Sequence, residues 1–111
     1  MPEERRRTPR VRAYLPLRLY HAAPLRSIET LTKDLSTEGV RCLSPVSFPV
    51  STEFSLEVGL ALGNEPVPVR GRLAWFRTLP FTEQFDLGIA FTEISPQNKR
   101  RLSTYIERLS S

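Results

Sequence analysis

Apolar and polar side chains alternate along several short stretches of this chain, with the period of two that a β-strand produces. The pattern is clearest over residues 11–20, where apolar side chains at odd positions alternate with arginine, tyrosine and proline at even positions. The other β-like runs, which complete a predicted set of six strands, cover residues 27–33, 40–43, 54–60, 67–75 and 85–91.

Turn-forming residues separate these runs, and a single helix follows the last of them. Proline, glycine, asparagine and serine are concentrated in the intervening segments, where chain reversals are expected. Ser95 and Pro96 match the N-cap and first position of a helix. Apolar side chains from Leu102 to Leu109 then recur at helical spacing. We therefore predict an amphipathic helix over about residues 95–109, whose apolar stripe covers the mouth or side of the sheet.

This order of elements predicts a mainly β fold, a six-stranded antiparallel β-barrel or a closely related sandwich with a C-terminal amphipathic helix. Closing the sheet would remove exposed strand edges. Pro16 cannot donate to a strand ladder, so we expect the first strand to lie at an edge or to be bulged there. Trp75 falls at an inward position of its strand, which is typical of a core residue.

The size and composition of the chain are those of one ordinary soluble domain. It has 111 residues, of which 40% are hydrophobic and 25% are charged. No apolar run approaches the roughly 20 residues that a membrane helix needs, so no membrane insertion is expected. The basic N-terminus leads into no apolar signal segment. Cys42 is the single cysteine, which allows a reducing compartment, and we predict a cytoplasmic protein.

Positive charge is concentrated at the start of the chain. The net charge is +4, and five arginines crowd into the first twelve positions. We interpret residues 1–10 as a flexible basic arm and residues 11–111 as the barrel with its helix. Blocks of like charge are usually disordered until they meet an anion. The arm is therefore either a solubilising tail or a phosphate-binding segment.

The sequence offers no constellation of catalytic or metal-binding residues. His21 and Cys42 are single residues separated by turns and a strand, which makes a nucleophilic pair improbable. No Gly-x-Ser-x-Gly elbow is present, and no Cys/His cluster suggests a metal. Acidic residues such as Asp86 occupy outward strand positions or turns, where a solvated carboxylate is the default. We predict that the protein is not an enzyme and needs no cofactor.

A polar turn between two predicted strands carries the most specific signal. Its sequence, Asp-Leu-Ser-Thr-Glu-Gly, places Asp34, Ser36 and Gly39 in an Asp-x-Ser-x-x-Gly pattern. Alone it is typical of a side-chain-stabilised turn. Together with Arg6 and Arg10, which have three residues between them, it resembles the two signatures of the PilZ domain. This family consists of bacterial receptors for cyclic dimeric GMP (c-di-GMP).

The chemistry of these residues suits such a ligand. Arginine binds phosphate oxygens with two parallel hydrogen bonds, pairs with the O6 and N7 acceptors of guanine, and stacks on base faces. Asp34 can accept the guanine N1–H and N2–H₂ donors or hold an arginine in place. Ser36 can bond to the base, the phosphate or the turn backbone. Gly39 can adopt a positive φ or allow a close approach to the backbone.

The resemblance extends from Arg5 to about Leu109 and implies a binding site and a function. In the family a glycine-containing strand leads to a residue that can stack on the ligand, and Trp75 occupies that place here. Arg41, next to the turn, is a further candidate. The implied ligand-binding residues are Arg5, Arg6, Arg7, Arg10, Asp34, Ser36, Gly39, Arg41 and Trp75.

The implied function is that of a c-di-GMP receptor or adaptor. Ligand binding would order the basic arm and signal the second-messenger level to a downstream protein partner. Two alternatives remain open. One is a PilZ-like interaction domain that does not bind nucleotide. The other, which is less favoured because no aromatic platform is visible apart from Trp75, is an electrostatic nucleic-acid-binding module.

Overall fold

Seven strands and one helix form the described part of the chain. The computed structural model describes residues 9–22, 25–60 and 64–110. Most of the basic arm, including Arg5, Arg6 and Arg7, lies outside these residues. The elements are β1 (Val11–Arg12), β2 (Pro16–Ala22), β3 (Leu25–Leu35), β4 (Gly39–Ser44), β5 (Glu53–Val58), β6 (Val67–Thr78), β7 (Phe85–Glu93) and α1 (Pro96–Ser110).

The strands form one antiparallel sheet that closes on itself. Its order is β1-β3-β2-β5-β6-β7-β4, and an additional pairing of β3 with β4 completes the barrel. The short β1 lies outside the closed ring and pairs with the end of β3 through Val11–Leu35 and Arg12–Asp34. The prediction of a six-stranded antiparallel barrel with a C-terminal helix is therefore confirmed, with β1 as an additional strand.

The predicted strand over residues 11–20 is interrupted between β1 and β2. At the break, the buried Thr32 hydroxyl donates to the Ala13 carbonyl and accepts a hydrogen bond from the Leu15 amide at 2.9 Å. Pro16 then begins β2, so the irregularity precedes the residue that lacks an amide hydrogen. The alternation of burial nevertheless continues through the break, with the odd-numbered side chains from Ala13 to Leu19 in the interior.

The barrel interior is a single apolar core. Its side chains come from every strand except β1, and Leu102 and Ile106 of α1 extend it at one end. Cys42 belongs to this core, as predicted, and burial together with the nearby Asp86 charge raises its pKa to about 12. The thiol is therefore protonated and serves as a small apolar group.

Helix α1 begins as the sequence predicts. The Ser95 hydroxyl accepts a hydrogen bond from the Asn98 amide at 3.1 Å, and Pro96 is the first helical residue. The helix contacts β6 and β1, and its Leu102 and Ile106 are buried whereas Leu109 remains exposed. Within the described residues, no helix has the length and apolar character needed to cross a membrane.

Candidate ligand-binding pocket

A pocket of about 490 Å³ lies on the outer face of the barrel, across β4, β6 and β7 and beside the end of β3. Its walls carry charged and aromatic side chains, and its floor carries small ones. The wall residues are Arg10, Asp34, Arg41, Trp75 and Arg77, and the small residues are Gly39, Ala74, Gly88 and Ala90.

The floor is open because neighbouring strands place small residues beside one another. Gly39 pairs with Ala90, and Arg41 pairs with Gly88. A Cβ atom at Gly88 would lie 2.1 Å from the Trp75 ring, so the indole rests directly on the Gly88 backbone. A larger residue at this position would fill the space that the ring occupies.

Two β-bulges bring additional polar and aromatic residues to this face. The pairing of β6 with β7 steps from Leu73–Ile89 to Trp75–Gly88, which leaves Ala74 as the extra residue. Trp75 therefore turns outward and is 42% exposed, so the prediction of an inward position is wrong. On β3 the extra residue is Lys33, and it joins Asp34 on the outer face.

Asp34 holds two arginines at the pocket. It lies at the end of β3, paired with Arg12 on one side and Arg41 on the other. Its Oδ1 accepts a hydrogen bond from Arg10 Nη1 at 2.5 Å, and its Oδ2 accepts one from Arg41 Nε at 2.8 Å. Of the two roles suggested by the sequence, the structure shows Asp34 in the second, that of positioning arginines.

Ser36 and Gly39 shape the turn between β3 and β4. The buried Ser36 hydroxyl accepts the Glu38 amide at 3.0 Å, and the Ser36 amide donates to the Gly39 carbonyl at 2.9 Å. Gly39 has no left-handed φ, but a Cβ atom there would lie 2.7 Å from the Ile89 carbonyl oxygen. Glycine is required here because β7 approaches closely. Ser36 is directed to the turn backbone.

A second carboxylate, Asp86 of β7, lies beneath the arginines, and the sequence reading missed it. Asp86 is completely buried, so the expectation of a solvated carboxylate is wrong. Lys33 Nζ lies 2.9 Å from its Oδ1, and Arg77 Nη2 lies 3.1 Å from its Oδ2. Arg41 Nη1 is 3.6 Å from the same Oδ2. An acidic residue between apolar strand positions gives no sequence signal for this burial.

The Asp86 carboxylate is held in its charged form. Burial alone would raise the pKa of Asp86. Hydrogen bonds from Lys33 and Arg77, together with the charges of Lys33 and Arg41, lower the pKa by more than burial raises it, so the net shift is downward. Within the described residues, this network joins Arg10, Lys33, Arg41 and Arg77 to two carboxylates. The charged residues that line the pocket are Arg10, Arg41, Arg77 and Asp34, which give it a net charge of +2.

The predicted site residues fall into two groups. Arg10, Asp34, Gly39, Arg41 and Trp75 line one pocket, although they come from four separate segments of the chain. Ser36 lies next to the pocket within the turn. Arg5, Arg6 and Arg7 lie outside the described residues. Within those residues, no group of three or more histidine, cysteine or acidic side chains is placed to hold a metal ion.

The closed β-barrel thus carries an outer pocket lined by three arginines and a partly exposed indole. The sequence model of the PilZ domain matches residues 4–108. The chain therefore belongs to the PilZ domain family. A search of curated proteins finds no significant match.

Several solved structures share the fold of this chain at low sequence identity. The Bacillus subtilis inhibitor of motility MotI/DgrA superposes with a TM-score of 0.80 at 19% identity, covering 94% of this chain and 50% of that one. Escherichia coli YcgR in complex with c-di-GMP gives 0.79 at 22% identity, covering 96% and 46%. The isolated PilZ domain of YcgR with c-di-GMP gives 0.73 at 21% identity, covering 96% and 92%. This chain thus spans about half the length of the first two proteins.

Proposed function

We propose that this chain is a receptor for c-di-GMP and that the ligand binds in the pocket between Arg10, Arg41 and Trp75. The observation that carries the proposal is the convergence of arginines and an exposed indole on a glycine- and alanine-lined floor. The ligand carries two phosphodiester anions, which the net charge of +2 balances. Structures of YcgR with c-di-GMP, which share this fold, support c-di-GMP as the ligand.

Each wall residue has a role that its geometry permits. Arg10 and Arg41 are held by Asp34 through one nitrogen each, which leaves other guanidinium N–H groups for phosphate or guanine acceptors. The exposed face of Trp75 offers a surface on which a guanine can stack, an interaction worth about 1–3 kcal/mol per base. Each Asp34 oxygen can accept a second hydrogen bond, so guanine donors can still reach it.

The basic arm supplies the remaining contacts in this proposal. Arg10 already lies at the pocket wall, and β1 fixes the following residues against β3. Arg5, Arg6 and Arg7 precede it by a few positions and can therefore close over a bound ligand. We infer that this closure creates a surface which a downstream protein reads as the second-messenger level.

Isothermal titration calorimetry tests the receptor function. We expect the wild type to bind c-di-GMP with micromolar or higher affinity, and Arg10→Ala to lose almost all binding. Arg18→Ala is the matched control, because it removes an equally exposed arginine, paired with Glu29, that lies away from this pocket. GTP and a short DNA duplex are titrated in parallel. The receptor function would be rejected if only the DNA duplex gave a binding heat, or if none of the three titrants did.

Hydrogen exchange tests the arm. Backbone amides of residues 3–8 and of Arg10 are expected to exchange more slowly when c-di-GMP is bound, whereas those of α1 are expected to remain unchanged. Unaltered exchange in the arm at saturating ligand would reject arm closure and leave the receptor function standing.

A further inference from the structure

Asp86 is an unusual residue for the outer face of a barrel. Its neighbours Leu87 and Ile89 alternate into the core, so its own side chain points outward, yet it has no solvent exposure. Three cationic side chains cover it: Lys33 from the β3 bulge, Arg41 from β4 and Arg77 from β6. A buried carboxylate is costly unless it is paired and hydrogen-bonded, and here both of its oxygens are.

The two arginines over Asp86 also form the wall of the ligand pocket. Arg77 directs Nε and Nη2 to Asp86 Oδ2, at 3.3 and 3.1 Å, while 63% of its side chain remains exposed. Arg41 lies between the two carboxylates, with Nε on Asp34 and Nη1 towards Asp86. An unbroken ionic chain therefore runs across five segments, from Arg10 through Asp34, Arg41 and Asp86 to Arg77.

Lys33 differs from the two arginines in one respect. It donates to the Asp86 carboxylate at 2.9 Å, but it does not line the pocket. It therefore contributes to the charge balance of the cluster without facing the ligand. A change at Lys33 is therefore expected to affect the stability of the cluster but not the contacts with a ligand.

We propose that Asp86 is a positioning residue for the pocket and that Arg77, which it holds, is a further ligand-binding residue. The proposal rests on the c-di-GMP receptor function. In it, Arg77 extends the cationic wall past Trp75 and meets the part of the ligand farthest from Arg10. A fixed guanidinium binds a phosphate or guanine with less loss of side-chain entropy than a mobile one.

The first experiment compares c-di-GMP affinity in the wild type, Arg77→Ala and Lys33→Met. We expect Arg77→Ala to weaken binding by about 10- to 100-fold, as for the loss of a charge-assisted hydrogen bond. Lys33→Met is expected to lower the melting temperature while keeping the affinity within about threefold of the wild type. Wild-type affinity in Arg77→Ala would overturn the inference and leave the receptor function intact. No binding by the wild type would overturn both.

A double-mutant cycle tests the positioning role of Asp86. Asp86→Asn is expected to weaken binding strongly in the wild-type background and much less once Arg77 is already alanine. Equal effects in both backgrounds would show that Asp86 acts only on overall stability, which would overturn its positioning role.

A ligand-free measurement covers the case in which Asp86→Asn does not fold. In the wild type, the Nε–H of Arg77 donates to a buried carboxylate, whereas Arg18 bonds through its Nη atoms at an exposed site. The Arg77 Nε–H signal in an NMR spectrum is expected to exchange with solvent more slowly than that of Arg18. Equal exchange rates would overturn the positioning role.

Discussion

Two sides of the barrel each carry an arginine–carboxylate pair on the outer face, and the two pairs differ in how far the carboxylate is buried. On β2 and β3, Arg18 contacts Glu29 at 2.7 Å, with 45% and 71% of the two side chains exposed. On β6 and β7, Arg77 contacts Asp86 at 3.1 Å, and the carboxylate is fully buried. Exposed pairs are worth about 0–1 kcal/mol, whereas breaking a buried pair costs several kcal/mol.

The arginine of each pair also lines a hollow, and the two hollows have similar volumes of about 400 and 490 Å³. The first hollow contains Arg18 with Glu29 and Glu57, a net charge of −1. The second contains three arginines and one aspartate, a net charge of +2. The two hollows therefore differ in charge rather than in size, and the second has the buried Asp86 beneath it.

The largest effect is expected from Asp86→Asn, which leaves three cations without their shared counter-charge. We predict a loss of about 3 kcal/mol in the free energy of unfolding at neutral pH, the low end for a buried pair because the cations are partly exposed. Glu29→Gln, the matched control, should cost less than about 1 kcal/mol. Chemical denaturation monitored by Trp75 fluorescence measures both values. Equal losses would contradict the distinction between the two sides.

The same variant gives a pH dependence of known sign. The folded pKa of Asp86 lies below its ordinary value of 3.8, so its charge stabilises the fold above that value. This contribution is lost as the pH falls through the folded pKa. The stability gap between wild type and Asp86→Asn should therefore shrink below pH 3.8. Lys33, Arg41 and Arg77 are the cationic groups that face this carboxylate. A constant gap would contradict the burial of a charged Asp86.

Asp34→Ala is expected to have the next largest effect, on ligand binding. Asp34 holds Arg10 and Arg41 together, so its loss releases two of the three arginines of the pocket. We predict an affinity for c-di-GMP about 100-fold lower, equivalent to about 2.7 kcal/mol. Glu57→Ala, on the opposite hollow, should bind as the wild type does. Calorimetry decides between this result and equal, small losses in both variants, which would indicate diffuse electrostatics.

The strands and the helix could be predicted from the sequence because each depends on a local signal. The alternation of apolar and polar residues predicted the strands. The Ser95–Pro96 pair predicted the start of α1, which begins at Pro96 in the structure. The Asp34 turn could be recognised as well, since its spacing is fixed within six residues. What these elements share is that neighbouring residues decide them.

The arrangement of the pocket could not be predicted in the same way, because two bulges decide it. A bulge depends on the pairing of two strands, so the alternation of residues along one strand does not reveal it. Strict alternation placed Trp75 inside, whereas the bulge at Ala74 turns it outward. The bulge at Lys33 puts Lys33 and Asp34 on one face. The burial of Asp86 follows from cations on three other strands.

Gly88→Ala is expected to act on the ligand more than on the fold. The new Cβ would overlap the Trp75 ring, and that ring is the movable end of a surface side chain. We predict about tenfold weaker binding of c-di-GMP with a stability change below about 1 kcal/mol. In the control Gly59→Ala, the Cβ would meet Pro16 at an ordinary 3.5 Å. Unchanged affinity in Gly88→Ala would show that the position of Trp75 does not matter for binding.

The smallest effect is expected on the side where the ion pair is exposed. Arg18 bonds to Glu29 at 2.7 Å and to the Tyr20 hydroxyl at 3.4 Å, yet water reaches all three groups. We predict that Arg18→Ala lowers the free energy of unfolding only slightly and that added salt reduces the loss further.

Denaturation of Arg18→Ala at low and high salt measures this value, with Arg77→Ala as the comparison. Both variants remove one arginine from a strand on the outer face, so they differ mainly in the burial of the carboxylate left behind. A larger loss for Arg18→Ala than for Arg77→Ala would mean that burial of the carboxylate does not separate the two sides. A larger, less salt-sensitive loss for Arg77→Ala would locate the difference in the buried charge of Asp86.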